Sequence, residues 1–289
     1  MAVVVLVVND GKPRAVELAH QAADWLSARD HEVRLSSEEA GTVGLAKYGQ
    51  PPATMLDGAD VAVSLGGDGT MLRAVCLVAR AGVPVLGVNL GNLGYLTEVE
   101  PDRLTDALEA FLTGAYRVEE RLMLSVTAEL GPSALPTAPT GRHLALNEAV
   151  VEKSSPGQVV HVSVSFGGRR WTTYAADGLI VATPTGSTAY SFSAHGPILP
   201  PELRAILMTP VSAHMPFDRS LVLAATETIR IELIVDRTAE LIVDGRELGQ
   251  LNEGDAILCQ AAPERARLIT FGQRDFYGIL KAKFGLSDR

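Results

Sequence analysis

The chain opens with a continuous run of mostly β-branched residues from position 2 to position 8. Such a run predicts a strand that is buried on both faces, as strands are in a parallel sheet. Pro13 then opens a helical pattern, and residues 60–65 and 83–88 are predicted strands with a predicted helix over residues 70–80 between them. Strands that alternate with helices imply crossover connections, so this part of the chain predicts an α/β fold with a doubly wound parallel sheet.

The pattern changes near Tyr116. From there to about residue 270, short apolar or alternating runs are separated by Gly, Pro and Asn, which is typical of an antiparallel β domain. Residues 275–284 have a helical pattern again. We therefore predict an α/β domain of residues 1–115, on which the last helix (residues 275–289) packs back, and an all-β C-terminal domain of residues 116–274.

Composition excludes several classes of protein. The chain of 289 residues is 47% hydrophobic and 20% charged, as expected for a packed globular protein. Its net charge of −9 argues against a nucleic-acid partner, because phosphate contacts need clustered Lys and Arg. No run reaches the roughly 18 apolar residues of a membrane helix. We therefore expect no membrane association. Cys76 and Cys259 form no CxxC pair, so we expect reduced cysteines and a cytoplasmic location.

A glycine-rich loop, Gly66-Gly67-Asp68-Gly69-Thr70, follows the predicted strand that ends at Leu65 and leads into a helix. Glycine tolerates positive φ and lets the backbone approach a ligand closely. The N–H groups of such a loop and of the helix N-terminus form an anion site, and ligands bind at the carboxyl ends of strands in open α/β sheets. The loop lacks the Lys of a Walker A motif, so it predicts phosphate binding of another kind.

Asp68 places a carboxylate inside this predicted phosphate loop, where its charge repels phosphate. Accepting a hydroxyl proton or holding a metal would explain it. The alternative is that Asp68 only caps the helix, since Asp-Gly is common in turns. Arg73, one turn further along, could reach phosphate, pair with Asp68 or be solvated.

Two further segments carry polar groups. Asn147-Glu148 ends a predicted strand. Glu148 suits ribose hydroxyls and Asn147 can donate and accept; the alternative is an ordinary loop at a strand end. Thr183-Pro184-Thr185-Gly186-Ser187-Thr188-Ala189-Tyr190 follows the predicted strand 178–182. We expect Pro184 and Gly186 to bend the chain and Ser187 to cap a short helix that could bind a pyrophosphate or an amide. Tyr190 would offer a ring face to a base, or simply pack in the core.

Together these segments resemble the NAD kinase family. The glycine loop is similar to the signature of a superfamily that also includes diacylglycerol and sphingosine kinases, and 6-phosphofructokinases carry a related loop. Asn147-Glu148 and the Thr183-to-Tyr190 segment resemble motifs of NAD kinases. So do Asp177-Gly178 and the second glycine-rich stretch, Asn89-Leu90-Gly91-Asn92-Leu93-Gly94-Tyr95-Leu96. The resemblance covers nearly the whole chain.

The resemblance implies transfer of a phosphoryl group from ATP or polyphosphate to the 2′-hydroxyl of the adenosine ribose of NAD, which gives NADP. Asp68 would accept or orient the hydroxyl proton, and Mg²⁺ would enter with the donor, which supplies most of its ligands, so no metal-ligating residue is assigned. The family also implies a homodimer or homotetramer. The residues expected to bind NAD and the donor are Gly66, Gly67, Gly69, Arg73, Asn147, Glu148, Asp177, Thr185, Thr188, Ala189, Tyr190 and Ser193.

The sequence departs from the family pattern at three places. Ala175 stands where many members carry an Arg that reaches a neighbouring subunit's ligand, Asp244-Gly245-Arg246 replaces the more usual Asp-Gly-Gln, and Gln158 stands where a basic residue is common. These changes put ligand contacts across a subunit interface in doubt. His214 and Arg219 match a family segment near the site, and their roles stay open, as does that of Arg246.

Two rival functions remain. A lipid kinase could carry the same glycine loop, although the Thr183-to-Tyr190 segment and the lack of an amphipathic membrane-docking helix argue against it. A non-catalytic dinucleotide sensor is the other, but a sensor has no need of Asp68 among phosphates.

Overall fold

The computed structural model describes residues 1–91, 94–132, 134–235, 237–272 and 275–286. The chain forms two compact units. The first, here the α/β unit, consists of Met1–Glu120 and Ala266–Arg289, and the second, the β unit, consists of Arg121–Arg265. The sequence-based boundaries were placed at residues 115 and 274.

Helices and strands alternate in the first part of the α/β unit. The strands are β1 (Val3–Val8), β2 (Glu32–Ser36), β3 (Gly49–Gln50), β4 (Val61–Gly66) and β5 (Val85–Asn89). The helices are α1 (Pro13–Ser27), α2 (Ser37–Thr42), α3 (Asp68–Val78) and α4 (Leu104–Leu112). Helix α3 begins at Asp68, two residues before the predicted start.

All five strands are parallel, in the order β5-β4-β1-β2-β3. This confirms the predicted doubly wound sheet. Strand β4 is buried along its whole length, and the buried residues of α1 follow helical spacing from Ala15 to Leu26, so one apolar face of the helix covers the sheet. The chain leaves β1 towards β2 on one side and later adds β4 on the other. A crevice therefore lies outside the carboxyl ends of β1 and β4, where open α/β sheets bind ligands.

Most of the regular structure in the rest of the chain is strand. The elements are β6 (Arg117–Glu129), β7 (Arg142–Ala145), β8 (Glu148–Lys153), β9 (Val160–Phe166), β10 (Arg169–Ala176), β11 (Gly178–Ala182), α5 (Tyr190–Ser193), β12 (Ala205–Val211), β13 (Leu221–Ala224), β14 (Ile229–Leu233), β15 (Ala239–Val243), β16 (Arg246–Leu251), β17 (Ala256–Thr270) and α6 (Phe276–Phe284). Strand β17 returns the chain to the α/β unit, where Leu268 pairs in parallel with Val85 of β5 and α6 follows.

The β unit is built from antiparallel pairs, as predicted. One sheet has the order β13-β12-β11-β8-β15-β16. A second series pairs β10, β9, β14 and the first part of β17, and β6 pairs with β7. Val151 and Val181 of the first sheet share one apolar core with Val162, Val164 and Tyr174 of the second. None of the helices in the described part of the chain is long and apolar enough to cross a membrane.

Candidate functional site

A polar cleft of about 440 Å³ lies at the carboxyl ends of β1 and β4. We call it the phosphate cleft. Its lining comes from the turn after β1 and from the glycine loop and first turns of α3. The lining residues are Asn9, Asp10, Lys12, Gly67, Gly69, Thr70 and Arg73. The Nζ atom of Lys12 donates to the carbonyl oxygen of Leu90 (2.9 Å).

The glycines of the loop have different roles. A Cβ on Gly66 would overlap the side chain of Thr70, which folds back over the loop. A Cβ on Gly67 or Gly69 would meet no other atom of the described structure within 4 Å, so these two glycines leave open space beside the cleft. None of the three has a positive φ. Close approach of Thr70 therefore explains Gly66, and the positive φ considered from the sequence explains none of the three.

The carboxylate of Asp68 is held by the second glycine-rich stretch. The N–H of Tyr95 donates to Oδ2 (2.9 Å), and the N–H of Leu96 donates to Oδ1 (3.2 Å). A Cβ on Gly94 would overlap Oδ1, so only glycine lets this stretch come so close. Asp68 therefore binds a segment 27 residues away, whereas the helix-cap alternative would direct it at its own helix. Asn92 and Leu93 of the same stretch lie outside the described residues.

Arg73 pairs with Glu39, a residue that the sequence analysis did not single out. Its Nη2 atom donates to Oε1 of Glu39 (2.9 Å) and to the carbonyl oxygen of Val8 (2.6 Å). The same Oε1 accepts the N–H of Val8 (2.7 Å). Burial raises the pKa of Glu39, although the Val8 N–H and the Arg73 charge oppose that shift. Glu39 thus fixes the guanidinium at the end of β1, on the edge of the phosphate cleft. Of the possibilities left open for Arg73, pairing with Asp68 is not the one that the structure shows.

Within the β unit, Asp244 organises the segment before β8. Its carboxylate accepts the N–H groups of Leu146 (2.7 Å), Asn147 (2.8 Å) and Glu148 (3.1 Å), and its own N–H donates to the Glu148 carbonyl. Asp244 and Gly245 both have positive φ and form the turn between β15 and β16. An Asp-Gly pair between two predicted strands predicts such a hairpin turn. It does not predict the hydrogen bonds that the Asp244 carboxylate accepts from residues 146–148.

Glu148 is a buried carboxyl group near Asp244, with only 6% of its surface exposed. Burial raises its pKa to about 8, and the nearby charge of Asp244 adds to the rise, while a backbone hydrogen bond from Tyr190 lowers it. In the described part of the chain, its Oε2 atom has no hydrogen-bond partner. A buried acceptor without a partner is costly, so this atom is suited to a ligand's polar group.

The segment from Thr183 to Tyr190 folds into a short 3₁₀ turn (Thr185–Thr188) followed by α5. Ser187 was predicted to cap this short helix, and that prediction is wrong. Its hydroxyl donates to the Pro184 carbonyl (2.6 Å) and accepts the N–H of Leu199 (2.9 Å). The chain has already entered the turn at Ser187, so its hydroxyl bonds within the bend. A Cβ on Gly186 would overlap the backbone of Asn147, which brings the two motifs into contact.

The other predicted residues of the β unit lie around these motifs. The Tyr190 hydroxyl donates to Glu152 (3.3 Å), and burial followed by the charge of Glu152 raises the Tyr190 pKa. Lys153 pairs with Asp177 (2.7 Å). The hydroxyl of Thr185 lies 3.5 Å from Nη1 of Arg121, and that of Thr188 donates to the Thr185 carbonyl. Ala189 precedes α5, and Ser193 ends it with an exposed side chain.

The residues whose roles were left open are also placed in the β unit. The N–H of His214 donates to the carbonyl oxygen of Ala175 (2.7 Å). Arg219 is exposed and lies 3.4 Å from Asp218. Arg246 begins β16 on the exposed side of the Asp244 turn. Among the described residues, no group of three or more His, Cys, Asp and Glu side chains is placed to hold a metal ion.

Comparison with known proteins covers both units. A family model described as the ATP-NAD kinase N-terminal domain matches residues 4–116, and one described as the ATP-NAD kinase C-terminal domain matches residues 146–271. The NAD kinase of Heliobacterium modesticaldum is 42% identical over 285 residues, which are 98% of each chain. The NAD kinase of Moorella thermoacetica is 39% identical over 279 residues, covering 96% of this chain and 88% of that one.

Two solved structures are similar as well. A yeast NADH kinase complexed with NADH has a TM-score of 0.90 at 24% identity and covers 100% of this chain and 89% of that chain, which supports the fold. An NAD kinase from Archaeoglobus fulgidus in complex with ATP has a TM-score of 0.72 at 25% identity, over 97% and 98% of the two chains. Because the two family models span most of the sequence and the relatives align along nearly its full length, the chain belongs to the NAD kinase family.

Proposed function

We propose that the protein transfers a phosphoryl group from ATP or polyphosphate to the 2′-hydroxyl of the adenosine ribose of NAD, which gives NADP. The observation that carries the proposal is the carboxylate of Asp68, oriented by two backbone N–H groups beside an open phosphate cleft. Membership in the NAD kinase family supports NAD as the acceptor.

The donor phosphates bind in the phosphate cleft. Gly67 and Gly69 leave their backbone accessible there, and the N-terminus of the eleven-residue helix α3 favours negative charge. Lys12 and Arg73 contribute two cations to the lining, and Gly66 lets Thr70 close the turn. These groups position the donor and stabilise its charge, which is most of what phosphoryl transfer requires of a protein.

Asp68 receives the proton of the acceptor hydroxyl. Each carboxylate oxygen has two lone pairs, and the Tyr95 and Leu96 N–H groups use one on each oxygen. The remaining lone pairs can accept the hydroxyl. As the new oxygen–phosphorus bond forms, the hydroxyl proton passes to Asp68. The bond between the transferred phosphorus and the bridging oxygen breaks, and its electron pair leaves with ADP or the shortened polyphosphate.

NAD is bound by residues of the β unit. Glu148 offers its unpartnered Oε2 atom to a ribose hydroxyl, and at neutral pH a carboxyl with a pKa of about 8 can also donate its own proton in a hydrogen bond. Asn147 is fixed beside it by Asp244. The remaining contacts are assigned to Asp177, Thr185, Thr188, Ala189, Tyr190 and Ser193, and the active form is a homodimer or homotetramer.

Asp10 would help to hold a Mg²⁺ ion that accompanies the donor phosphates. Its preferred ligands are carboxylate, phosphate and water oxygens, and the carboxylate of Asp10 in the lining of the phosphate cleft is of this kind. When bound, the ion would offset the charge that develops on the transferred group. The donor phosphates would supply most of the other ligands.

The test is Asp68→Asn in the full chain, with Asp57→Asn as a control at an exposed aspartate. We expect kcat to fall by a factor of about 10²–10⁴, the usual contribution of a general base, while calorimetry gives an unchanged Kd for NAD. Near-normal turnover by Asp68→Asn would refute the role of Asp68. Turnover of diacylglycerol in place of NAD would instead support a lipid kinase, and NAD binding without turnover in ATP and Mg²⁺ would support a sensor.

A further inference from the structure

Strand β8 lies between β11 and β15 in its sheet, and its first residues lie where both pairings end. The pairing with β15 ends at Ala149 and Val243. The pairing with β11 ends at Glu148 and Ala182. Residues 146–148 are therefore at the end of both ladders. Buried backbone groups that a ladder does not bind need other partners, so this segment must be held in another way.

The first residue after each neighbouring strand supplies those partners. Thr183 follows β11, and it donates its N–H to the Asn147 carbonyl (2.8 Å) and its hydroxyl to the Leu146 carbonyl (2.5 Å). Asp244 follows β15, and its carboxylate accepts the N–H groups of residues 146, 147 and 148. Thr183 therefore binds two carbonyl groups of the segment, and Asp244 binds all three of its N–H groups.

The hairpin turn between β15 and β16 does not itself require a carboxylate. Asp244 and Gly245 both have positive φ (47° and 74°), and Asn-Gly suits such a turn as well as Asp-Gly does. The three N–H groups, however, bind two different oxygens, because Leu146 binds Oδ2 while Asn147 and Glu148 bind Oδ1. An amide has one oxygen, so asparagine would keep the turn and lose one of the three hydrogen bonds.

The held segment carries the side chains of Asn147 and Glu148. The Glu148 side chain is 6% exposed, and within the described part of the chain its Oε2 atom has no hydrogen-bond partner. Close packing leaves a buried side chain little freedom to move by itself, so a displacement of its backbone displaces its polar atoms. A displacement of about 1 Å at a positioned group can cost a factor of about 10².

We propose that Asp244 is a positioning residue of the NAD site, which holds the backbone of residues 146–148 so that Asn147 and Glu148 face the acceptor ribose. The inference rests on the proposed kinase function, because it assigns a further residue to the acceptor site of that reaction. Asp244 acts on NAD through the segment that it binds. Its loss should therefore weaken the binding of NAD and leave the donor unaffected.

The experiment is Asp244→Asn in the full chain. We expect the Kd of NAD, measured by calorimetry, and the KM of NAD to rise by a factor of about 10 or more. The KM of ATP should stay within about twofold and kcat within about threefold, because the loss is of NAD binding and not of an interaction made only in the transition state. Asp68 and the residues of the phosphate cleft belong to the α/β unit, which this substitution leaves unchanged.

Asp255→Asn is the matched control. Asp255 is a second buried carboxylate of the β unit, and it accepts the backbone N–H groups of Gly131 (2.7 Å) and Asn252 (2.8 Å). The control therefore makes the same chemical change at a carboxylate that binds backbone elsewhere. It should lower the urea midpoint, as a lost backbone partner does, and leave the Kd of NAD within about twofold.

A second background shows whether Asp244 acts through the two side chains. In a chain that already carries Asn147→Ala and Glu148→Gln, adding Asp244→Asn should change the Kd of NAD by less than about twofold, because residues that act as a unit are not additive. A merely structural or independent effect would multiply with the others. A further rise of about tenfold in this background would therefore overturn the inference.

Thr183 gives a test that changes no charge, and it decides the matter if Asp244→Asn does not fold. Thr183→Val removes the hydroxyl that binds the Leu146 carbonyl and accepts the N–H of Gly186 (3.0 Å), so the Kd of NAD should rise severalfold. Thr183→Ser keeps a hydroxyl and should stay close to the wild type.

An unchanged Kd of NAD in Asp244→Asn, or in Thr183→Val where Asp244→Asn does not fold, would overturn the inference, and so would an equal rise in Asp255→Asn. Failure of the proposed function has a different result: the wild type binds NAD and makes no NADP with any donor. The NAD titrations would still decide whether Asp244 positions the NAD site.

Discussion

The burial of the Glu148 carboxyl group can be tested without any substrate, because it makes the free energy of unfolding depend on pH. Its pKa rises from 4.5 to about 8 in the folded chain, mainly because burial disfavours the charged form. The folded state therefore binds the proton more tightly than the unfolded state. The resulting stability is fully present below pH 4.5 and is lost as the pH rises to about 8. One pKa unit corresponds to about 1.4 kcal/mol, so the loss over this window is on the order of 5 kcal/mol.

Glu148→Gln replaces the carboxyl with a neutral amide of nearly the same shape. We expect the variant to match the wild type in its free energy of unfolding near pH 5. At pH 8.5 it should exceed the wild type by about 3–5 kcal/mol, because it has no charge to bury. The same substitution at the exposed Glu253 should leave the pH dependence unchanged.

The measurement is urea unfolding between pH 5 and pH 9, followed by fluorescence. The chain has two tryptophans, Trp25 and Trp171, and only Trp171 belongs to the β unit that contains Glu148. In a Trp25→Phe background, the signal therefore comes from the unit in question. If Glu148→Gln and the wild type lose stability in parallel over this pH range, the idea of a buried, protonated Glu148 is wrong.

Other predictions concern backbone anchors and close contacts. Asp244→Ala should lower the free energy of unfolding by more than about 3 kcal/mol, because three backbone N–H groups lose a charged acceptor. It should also bring the pKa of Glu148 down, which a shallower pH dependence of unfolding would reveal; an unchanged profile would show that Asp244 is not a source of the shift. Gly94→Ala should displace the carboxylate of Asp68 and lower kcat by at least about 10²-fold, as misplaced catalytic groups do, with the NAD Kd unchanged. Gly67→Ala, where a Cβ has open space, should leave the urea midpoint nearly unchanged and raise the KM of the donor.

Local pattern was enough to predict the fold class. The β-branched run of β1 and the alternation of strands and helices indicated a parallel sheet, and the short Gly- and Pro-separated runs indicated the antiparallel part. The glycine loop was predicted because its position after a buried strand has a local physical meaning. Its three glycines were not distinguished, since only the packed structure gives Gly66 a neighbour and leaves Gly67 free.

The links between distant residues were not predictable from pattern. Glu39 and Arg73 are 34 positions apart, and Asp244 lies 96 to 98 positions from the N–H groups that it binds. No periodicity relates such positions, because tertiary packing alone brings them together. Ser187 shows a smaller failure of the same kind: a residue suited to capping was already inside a turn that competed for its hydroxyl.

The two separate segments of the α/β unit also have a consequence for synthesis on the ribosome. Residues 121–265 form a contiguous unit, so the β unit has all its residues before residues 266–286 are made. The α/β unit must wait for those residues, because the end of β17 completes its sheet beside β5 and Lys283 of α6 lies over the ring of Tyr95 (3.9 Å). Tyr95 is the residue whose N–H holds Asp68. The contact between Lys283 and Tyr95, and with it the packing around the segment that holds Asp68, can therefore form only after residue 283 has been made.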